Sequence, residues 1–154
     1  MKKTLKNIVL ALALTVASTM LATSAFAQEW PLASGDYWEV TGIDVADGAG
    51  LKYSTWLATE WKKNAEFAKS KGWIKDYKIL ANNYPRKGEP DLYLIRVRES
   101  IVSGPEGEKR GREYREWNKK SLEALVSESG NRAEYREVLS SSLLQELLFR
   151  DESE

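Results

Sequence analysis

Three charged side chains interrupt segments that are otherwise apolar, and they are the residues best suited to binding chemistry. Arg96 and Arg98 lie in the apolar stretch 91–98, and Glu146 lies in the stretch 143–150. A charged group on a covered sheet face is costly unless it is paired. In one interpretation each arginine sits near a strand end, reaches water or pairs with a carboxylate such as Glu146. In the other, Arg96 or Arg98 holds an anionic or carbonyl oxygen through its fixed fork of donors.

Aromatic residues are the candidate walls of a pocket around these charges. Aromatic side chains bury large areas in protein cores, and they also line pockets for flat or apolar molecules. Both interpretations stay open for each residue. The predicted pocket combines the aromatic and charged candidates: Trp38, Trp61, Tyr77, Arg96, Arg98, Trp117 and Glu146.

Two missing residue types limit the chemistry of the chain. The 154 residues include no cysteine and no histidine. Thiol nucleophiles, Ser-His-Asp triads, His-ligated haem and zinc sites built on His or Cys are therefore excluded. Asp44, Asp47 and Gly48 hint at a calcium loop, but the rest of that pattern is missing. We expect no cofactor and no metal, and the sequence identifies no catalytic residue.

The first 27 residues predict where the protein works. Lys2, Lys3 and Lys6 precede an apolar run at residues 8–21, and Ala25-Phe26-Ala27 supplies a small-x-small pattern. This order is typical of a secretory signal peptide. We expect cleavage after Ala27 and a periplasmic or extracellular protein. An uncleaved membrane anchor is the alternative, because the apolar run is nearly long enough to span a bilayer.

The remaining chain is predicted to be one acidic domain. Removing the three signal lysines from 23 basic and 23 acidic residues leaves 20 against 23, a net charge of −3. Basic residues alternate with acidic ones, so we expect no nucleic-acid partner and, after cleavage, no membrane partner. The expected layout is an extended leader at residues 28–35, a domain at 36–150 and an acidic tail at 151–154.

Periodicity predicts four strands and two helices. The strands are expected at residues 37–45, 73–81, 91–98 and 143–150. The first helix runs from Leu51 to Lys71, and its apolar face is Tyr53, Leu57, Trp61, Ala65 and Ala68. Three glycines and a proline predict a flexible loop at residues 100–111. The second helix follows this loop, with an apolar face of Tyr114, Trp117, Leu122 (or Ser121), Leu125 and Val126.

The order β-α-β-β-α-β predicts an α+β, ferredoxin-like domain, with an antiparallel sheet and both helices on one face. In the third strand, Leu92 and Leu94 point one way while Tyr93, Ile95 and Val97 point the other. A sheet with one wet face would alternate apolar and polar residues. Because two helices cover only one face, a second copy of the chain is the simplest cover for the other.

Five segments carry a family resemblance: Val40-Thr41-Gly42-Ile43, Trp56 and Trp61, Lys71-Gly72-Trp73-Ile74, Gly88-Glu89-Pro90-Asp91-Leu92-Tyr93-Leu94-Ile95, and Arg136-Glu137-Val138-Leu139-Ser140. With them, residues 36–150 resemble the dimeric α/β-barrel superfamily, which includes stress-responsive, antibiotic-biosynthesis-monooxygenase-like and EthD-like proteins. The resemblance implies two ferredoxin-like protomers packed sheet to sheet, with ligands between each sheet and its own helices.

Three functions remain open from the sequence. The first is an exported homodimer that binds a small apolar or aromatic molecule between sheet and helices. The second, implied by the resemblance, is a cofactor-independent monooxygenase or isomerase of aromatic compounds. The third is a stress-related structural protein of the envelope without a ligand. Several members of the superfamily use a histidine, and this chain has none, so no catalytic residue is carried over from them.

Overall fold

A computed structural model describes residues 30–150 of the chain. The predicted signal peptide, residues 1–27, and the predicted acidic tail, residues 151–154, lie outside the described residues. The account below concerns the described part alone.

Four strands within residues 30–150 form one antiparallel sheet. They are β1 (Leu32–Val45), β2 (Asp76–Ala81), β3 (Leu92–Arg98) and β4 (Arg136–Phe149). Their spatial order is β2-β3-β1-β4. The two long strands, β1 and β4, pair from Leu32 opposite Phe149 to Val45 opposite Arg136.

Helices fill the connections between β1 and β2 and between β3 and β4. The first connection holds α1 (Gly50–Trp56), a π-helical turn (Leu57–Trp61) and α2 (Lys62–Ser70), which follow one another without a break. The second holds α3 (Gly104–Asn118), α4 (Leu122–Asn131) and a short 3-10 helix (Arg132–Glu134). The predicted α+β class with an antiparallel sheet is confirmed, and the arrangement is compatible with a ferredoxin-like fold.

The outer strands are longer than the sequence predicted. β1 begins at Leu32 rather than residue 37, because the end of β4 supplies its pairing partner. Pro31 does not prevent this, since it precedes the first strand residue. β4 begins at Arg136 rather than residue 143, and its serine run 140–142 pairs with β1. Pairing with a neighbouring strand has outweighed the weak strand propensity of these serines.

The predicted flexible loop at residues 100–111 is wrong, because α3 begins at Gly104. Ser103 has an extended backbone at the N-cap, and Pro105 and Glu106 occupy the first turn. Proline and an acidic residue are both favoured there. Glu106 also accepts a hydrogen bond of 2.8 Å from Arg110 Nε. These signals outweigh the glycines that suggested a loop.

The second predicted helix is divided in two. Lys119 adopts a left-handed conformation with φ 54° and ends α3. Ser121 then caps α4, and its hydroxyl accepts a hydrogen bond of 3.2 Å from the Ala124 amide. Leu122 and Val126 are exposed, so the apolar face predicted for one continuous helix is not buried along its length.

The core lies between the helical run at residues 50–70 and one face of the sheet. The predicted apolar face of the first helix is confirmed, since Tyr53, Leu57, Trp61 and Ala65 are buried and Ala68 packs against them. Their partners from outside the helical run are Ile43, Ile74 and Leu94. We call this side of the sheet the helix face.

The opposite side of the sheet, which we call the open face, is also apolar. Its residues follow from the register: Trp38, Val40, Tyr93, Ile95, Val97, Leu80, Leu144 and Leu148. The core contacts of the helical run fall on the helix face. Leu80, Leu144 and Leu148, on the two outer strands, are each about half exposed, whereas Ile95 and Val97 on β3 are buried, at 3% and 6% exposure. The apolar alternation predicted for both faces is therefore present in the described strands.

Candidate functional site

The helical run and the helix face enclose a cavity of about 150 Å³, which we call the arginine cavity. It draws residues from β1, β3, β4, α1 and the π-helical turn. A cavity of about this volume in a protein interior admits one benzene ring. Its lining residues are Glu39, Thr41, Ile43, Tyr53, Trp56, Trp61, Leu94, Arg96, Arg136 and Val138.

Aromatic rings form the helical side of the arginine cavity. Tyr53 and Trp56 stack with ring centroids 5.6 Å apart and planes 9° from parallel. Trp61 meets Tyr77 edge-on at 5.5 Å. Leu57 and Trp61 bound the π-helical turn, a conformation found frequently at functional sites. These rings offer flat apolar surfaces to a bound molecule.

A carboxylate between two arginines lies at the sheet side of the cavity. Glu39 on β1 pairs with Arg96 on β3 in the register. Arg96 Nη1 donates to Glu39 Oε1 at 3.4 Å, and Arg98 Nη2 donates to Glu39 Oε2. All three side chains are about one-third exposed. The interpretation that Glu146 pairs with these arginines is wrong, because Glu39 takes that role.

Two further arginines lie where β4 begins. Arg136 lines the arginine cavity, and the guanidinium carbon of Arg132 lies 4.5 Å from the centre of the Trp56 ring. The Nε atom of each arginine is buried and has no hydrogen-bond partner among the described residues. No ion pair joins either guanidinium to a carboxylate within residues 30–150. Unpartnered buried donors of this kind call for a structural explanation.

Tyr53 is almost fully buried beside these arginines. Burial raises the pKa of its hydroxyl above the usual value of 10.0, while the charges of Arg136 and Arg132 act in the opposite direction. The phenol therefore stays protonated at neutral pH and remains a hydrogen-bond donor.

The Tyr53→Phe variant is expected to lose less stability than the parent at alkaline pH. Above pH 10 the unfolded chain releases the Tyr53 proton while the folded chain retains it, so the free energy of unfolding falls as pH rises. Urea unfolding at pH 8, 9 and about 10.5 measures this slope. The control Tyr84→Phe removes an exposed hydroxyl and should keep the parent slope. Identical slopes for all three proteins would contradict the expectation.

The predicted pocket residues do not form one pocket. Trp61 and Arg96 line the arginine cavity, and Arg98 lies beside it on Glu39. Trp38 is on the open face with Lys78 Nζ 4.6 Å from its ring centre. Trp117 stacks on Phe67 at 4.1 Å, where α3 meets α2. Glu146 lies against Gly35 in the long β1–β4 ladder.

Tyr77 belongs to a neighbouring depression at the β2 edge, which we call the edge groove. Its volume is about 430 Å³, and Trp61 separates it from the arginine cavity. Tyr77 donates a hydrogen bond to Glu66 Oε1, which is the main reason that its pKa is raised. The edge groove is lined by Ser54, Leu57, Ala58, Trp61, Lys62, Tyr77, Lys78, Ile79 and Leu92.

Five contributors to the site were missed by the sequence reasoning: Glu39, Tyr53, Trp56, Arg132 and Arg136. Glu39 carried a usable signal, because it is a charged residue within the predicted first strand and opposite in sign to Arg96. Arg136 carried none, since the last strand was expected to begin only at residue 143. Tyr53 was assigned to the helix core, where it also lies.

Neither a metal site nor a membrane-spanning helix is present among the described residues. Residues 30–150 contain no group of three or more acidic side chains placed to hold a metal ion. The Val45 amide at the end of β1 donates to Asp91 Oδ2 at 2.9 Å, and Gly48 turns the chain with φ 77°, so residues 46–48 form a turn after β1, next to Asp91 just before β3. Among the helices described, none has the length and apolar character needed to cross a bilayer.

Comparison with known proteins identifies no relative of this chain. No family model matches the chain, and neither the curated proteins nor the solved structures contain a match. The function must therefore be argued from the geometry of the arginine cavity and of the open face.

Proposed function

We propose that this chain is an exported homodimer that binds a small apolar or aromatic molecule between its helices and its sheet. The observation that carries the proposal is the arginine cavity, a ring-sized space walled by Tyr53, Trp56 and Trp61. Small-molecule sites combine apolar and aromatic walls with a few placed polar groups. Glu39, Arg96 and Arg136 are those polar groups here.

The size of the cavity favours a single ring over a larger ligand. A volume of about 150 Å³ accommodates one benzene ring. The edge groove is larger, at about 430 Å³, but it offers only Ser54 and two lysines beside its apolar walls and Tyr77. The arginine cavity is therefore the better site for a molecule held by directional polar contacts.

The open face supports the homodimer. A soluble monomer rarely exposes a large contiguous apolar patch, and such patches mark interfaces. Leu144 and Leu148 on β4 and Leu80 on β2 are exposed on this face. A two-fold interface uses the same patch on both subunits, and sheet-to-sheet packing is the arrangement that the dimeric α/β-barrel resemblance implies. A second copy is thus the proposed partner.

Export is supported by the sequence of residues 1–27, with its lysines, apolar run and Ala25-Phe26-Ala27. Such a segment directs secretion and is removed. The proposed location is the periplasm or the extracellular medium. Lack of cysteine means that the fold depends on packing without disulfides there.

The ligand site is tested with benzamide, a neutral one-ring probe, followed by tryptophan fluorescence. Saturable binding is expected in the parent protein. Thr41→Leu extends a side chain into the arginine cavity and should weaken binding by about tenfold or more. The matched variant Ala58→Phe fills the edge groove instead and should leave binding unchanged.

Two results would overturn the site proposal. One is the failure of every one-ring aromatic probe, neutral or charged, to bind the parent protein. The other is the reverse pattern, in which Ala58→Phe abolishes binding and Thr41→Leu does not. Thermal unfolding of both variants shows whether each retains the parent fold.

A further inference from the structure

One end of the arginine cavity carries positive charge that the described residues do not neutralise. Arg136 lines this end, and Arg132 lies against Trp56, another wall of the cavity. The Nε atoms of both arginines are buried without partners within the part of the chain described. Both arginines are partly exposed, but a buried guanidinium N–H without a hydrogen-bond partner still carries a desolvation cost.

Three carboxylates near these arginines are occupied by other cations, and Glu60, which lines a depression with Arg132 and Trp56, forms no ion pair with either arginine within the described residues. Glu39 binds Arg96 and Arg98. Glu134 Oε2 lies 3.9 Å from Lys52 Nζ, and Glu128 Oε1 lies 2.7 Å from Lys120 Nζ. Glu39 cannot neutralise all of the arginines at the cavity, because two of them already share its single charge. The Arg136 end therefore lacks a counter-charge among residues 30–150.

The surroundings of Arg136 favour an anion attached to a flat ring. The guanidinium is a planar fork that matches the two oxygens of a carboxylate. The positive charges of Arg136 and Arg132 both act on the pKa of the Tyr53 hydroxyl. The hydroxyl therefore lies near the same positive charge. Trp56 and Trp61 supply the aromatic walls on the helical side.

We propose that the arginine cavity selects a single-ring aromatic carboxylate, with the carboxylate at Arg136, the ring beside Trp56 and Trp61, and further positive charge from Arg132, which lies against Trp56 outside the cavity lining. This inference rests on the proposed function, since it specifies the chemical class of the molecule bound at the same site. The carboxylate supplies the counter-charge that the described chain lacks, and the ring fills the ring-sized space.

Isothermal titration calorimetry with benzoate, benzamide and acetate at fixed ionic strength tests the inference. Benzoate is expected to bind about tenfold more tightly than benzamide, since a charge-assisted hydrogen bond is roughly twice as strong as a neutral one. Acetate tests whether the charge alone is enough, and it should bind far more weakly than benzoate. Equal affinities for benzoate and benzamide, or for benzoate and acetate, would overturn the inference.

Two variants at the charged end should abolish or reduce the preference for benzoate over benzamide. Arg136→Gln removes the charge that lines the cavity, and Arg132→Gln provides an independent test if the first variant does not fold. The matched control is Arg112→Gln, which removes the same charge from an exposed site on α3. We expect a benzoate-to-benzamide affinity ratio near unity in the first variant, a reduced ratio in the second and the parent ratio in the control.

The outcomes separate this inference from the proposed function. Two outcomes would exclude the anion subsite but not the ring site. One is benzamide binding with no preference for benzoate, and the other is a preference for benzoate that persists in both Arg136→Gln and Arg132→Gln. A failure of both ring compounds to bind removes the two proposals together.

Discussion

Leu144→Glu is expected to convert the homodimer into a monomer, whereas Leu143→Glu is expected to leave the dimer intact. The two leucines are neighbours on β4 and are equally exposed, at 55% and 53%. Leu144 lies opposite Trp38 on the open face, and Leu143 lies opposite Glu39 on the helix face. Only the first variant places a carboxylate in the proposed interface, where like charges from both copies would meet.

Sedimentation or light scattering of the chain without residues 1–27 measures this effect as a change in mass. The parent and Leu143→Glu should give the dimer mass at concentrations where Leu144→Glu gives the monomer mass. A parent protein that is monomeric at all concentrations would contradict the dimer. If Leu143→Glu dissociates the dimer and Leu144→Glu does not, the interface would lie on the helix face, which contradicts the proposal.

Trp61→Ala is expected to lower the free energy of unfolding by about 3–5 kcal/mol, the range for large-to-small aromatic changes in a core. Trp61 is 5% exposed. It packs in the core cluster with Leu57, Ala65 and Leu94, and meets Tyr77 edge-on. The variant loses these contacts and joins the arginine cavity to the edge groove, which share Trp61 as a wall.

Urea or thermal unfolding of the chain without residues 1–27 measures this loss of stability. Tyr84→Ala is the matched control, because Tyr84 is 91% exposed and its truncation should change stability by about 0.5 kcal/mol or less. A Trp61→Ala protein as stable as the parent would show that this part of the helical run does not pack as described.

The parts of the fold that could be predicted are those encoded by local pattern. The spacing of Tyr53, Leu57, Trp61 and Ala65 defines one face of a helix without knowledge of its partner. The third strand was equally clear, with predicted bounds 91–98 and observed bounds Leu92–Arg98. Its alternation also indicated that both faces of the sheet are apolar.

The parts that could not be predicted depend on residues far apart in the chain. Residues 32–34 become a strand only because the end of β4 reaches them. The helix beginning at Gly104 has local start signals in Pro105 and Glu106 that compete with its loop-favouring glycines, and the packing of Trp117 on Phe67 of α2 is a stabilising contact that the local sequence does not show. Propensity is a weak guide when tertiary contacts oppose it.

The candidate site was also predictable only where a local pattern marked its residues. Arg96 was singled out because a charge in an apolar strand is conspicuous, and it does line the cavity. Its partner Glu39 is 57 positions away in sequence, so the pair depends on strand register. Trp38 and Trp117 are aromatic like Trp61, yet they face other parts of the molecule, because residue type alone does not specify the face of an element.

A crystal structure of the chain without residues 1–27, grown with benzamide, tests the central claim most directly. The account predicts the benzamide ring inside the arginine cavity, in contact with Trp56 and Trp61 and above the strand that carries Thr41. A structure in which side chains fill that space, or in which the ring lies only in the edge groove, would contradict the account.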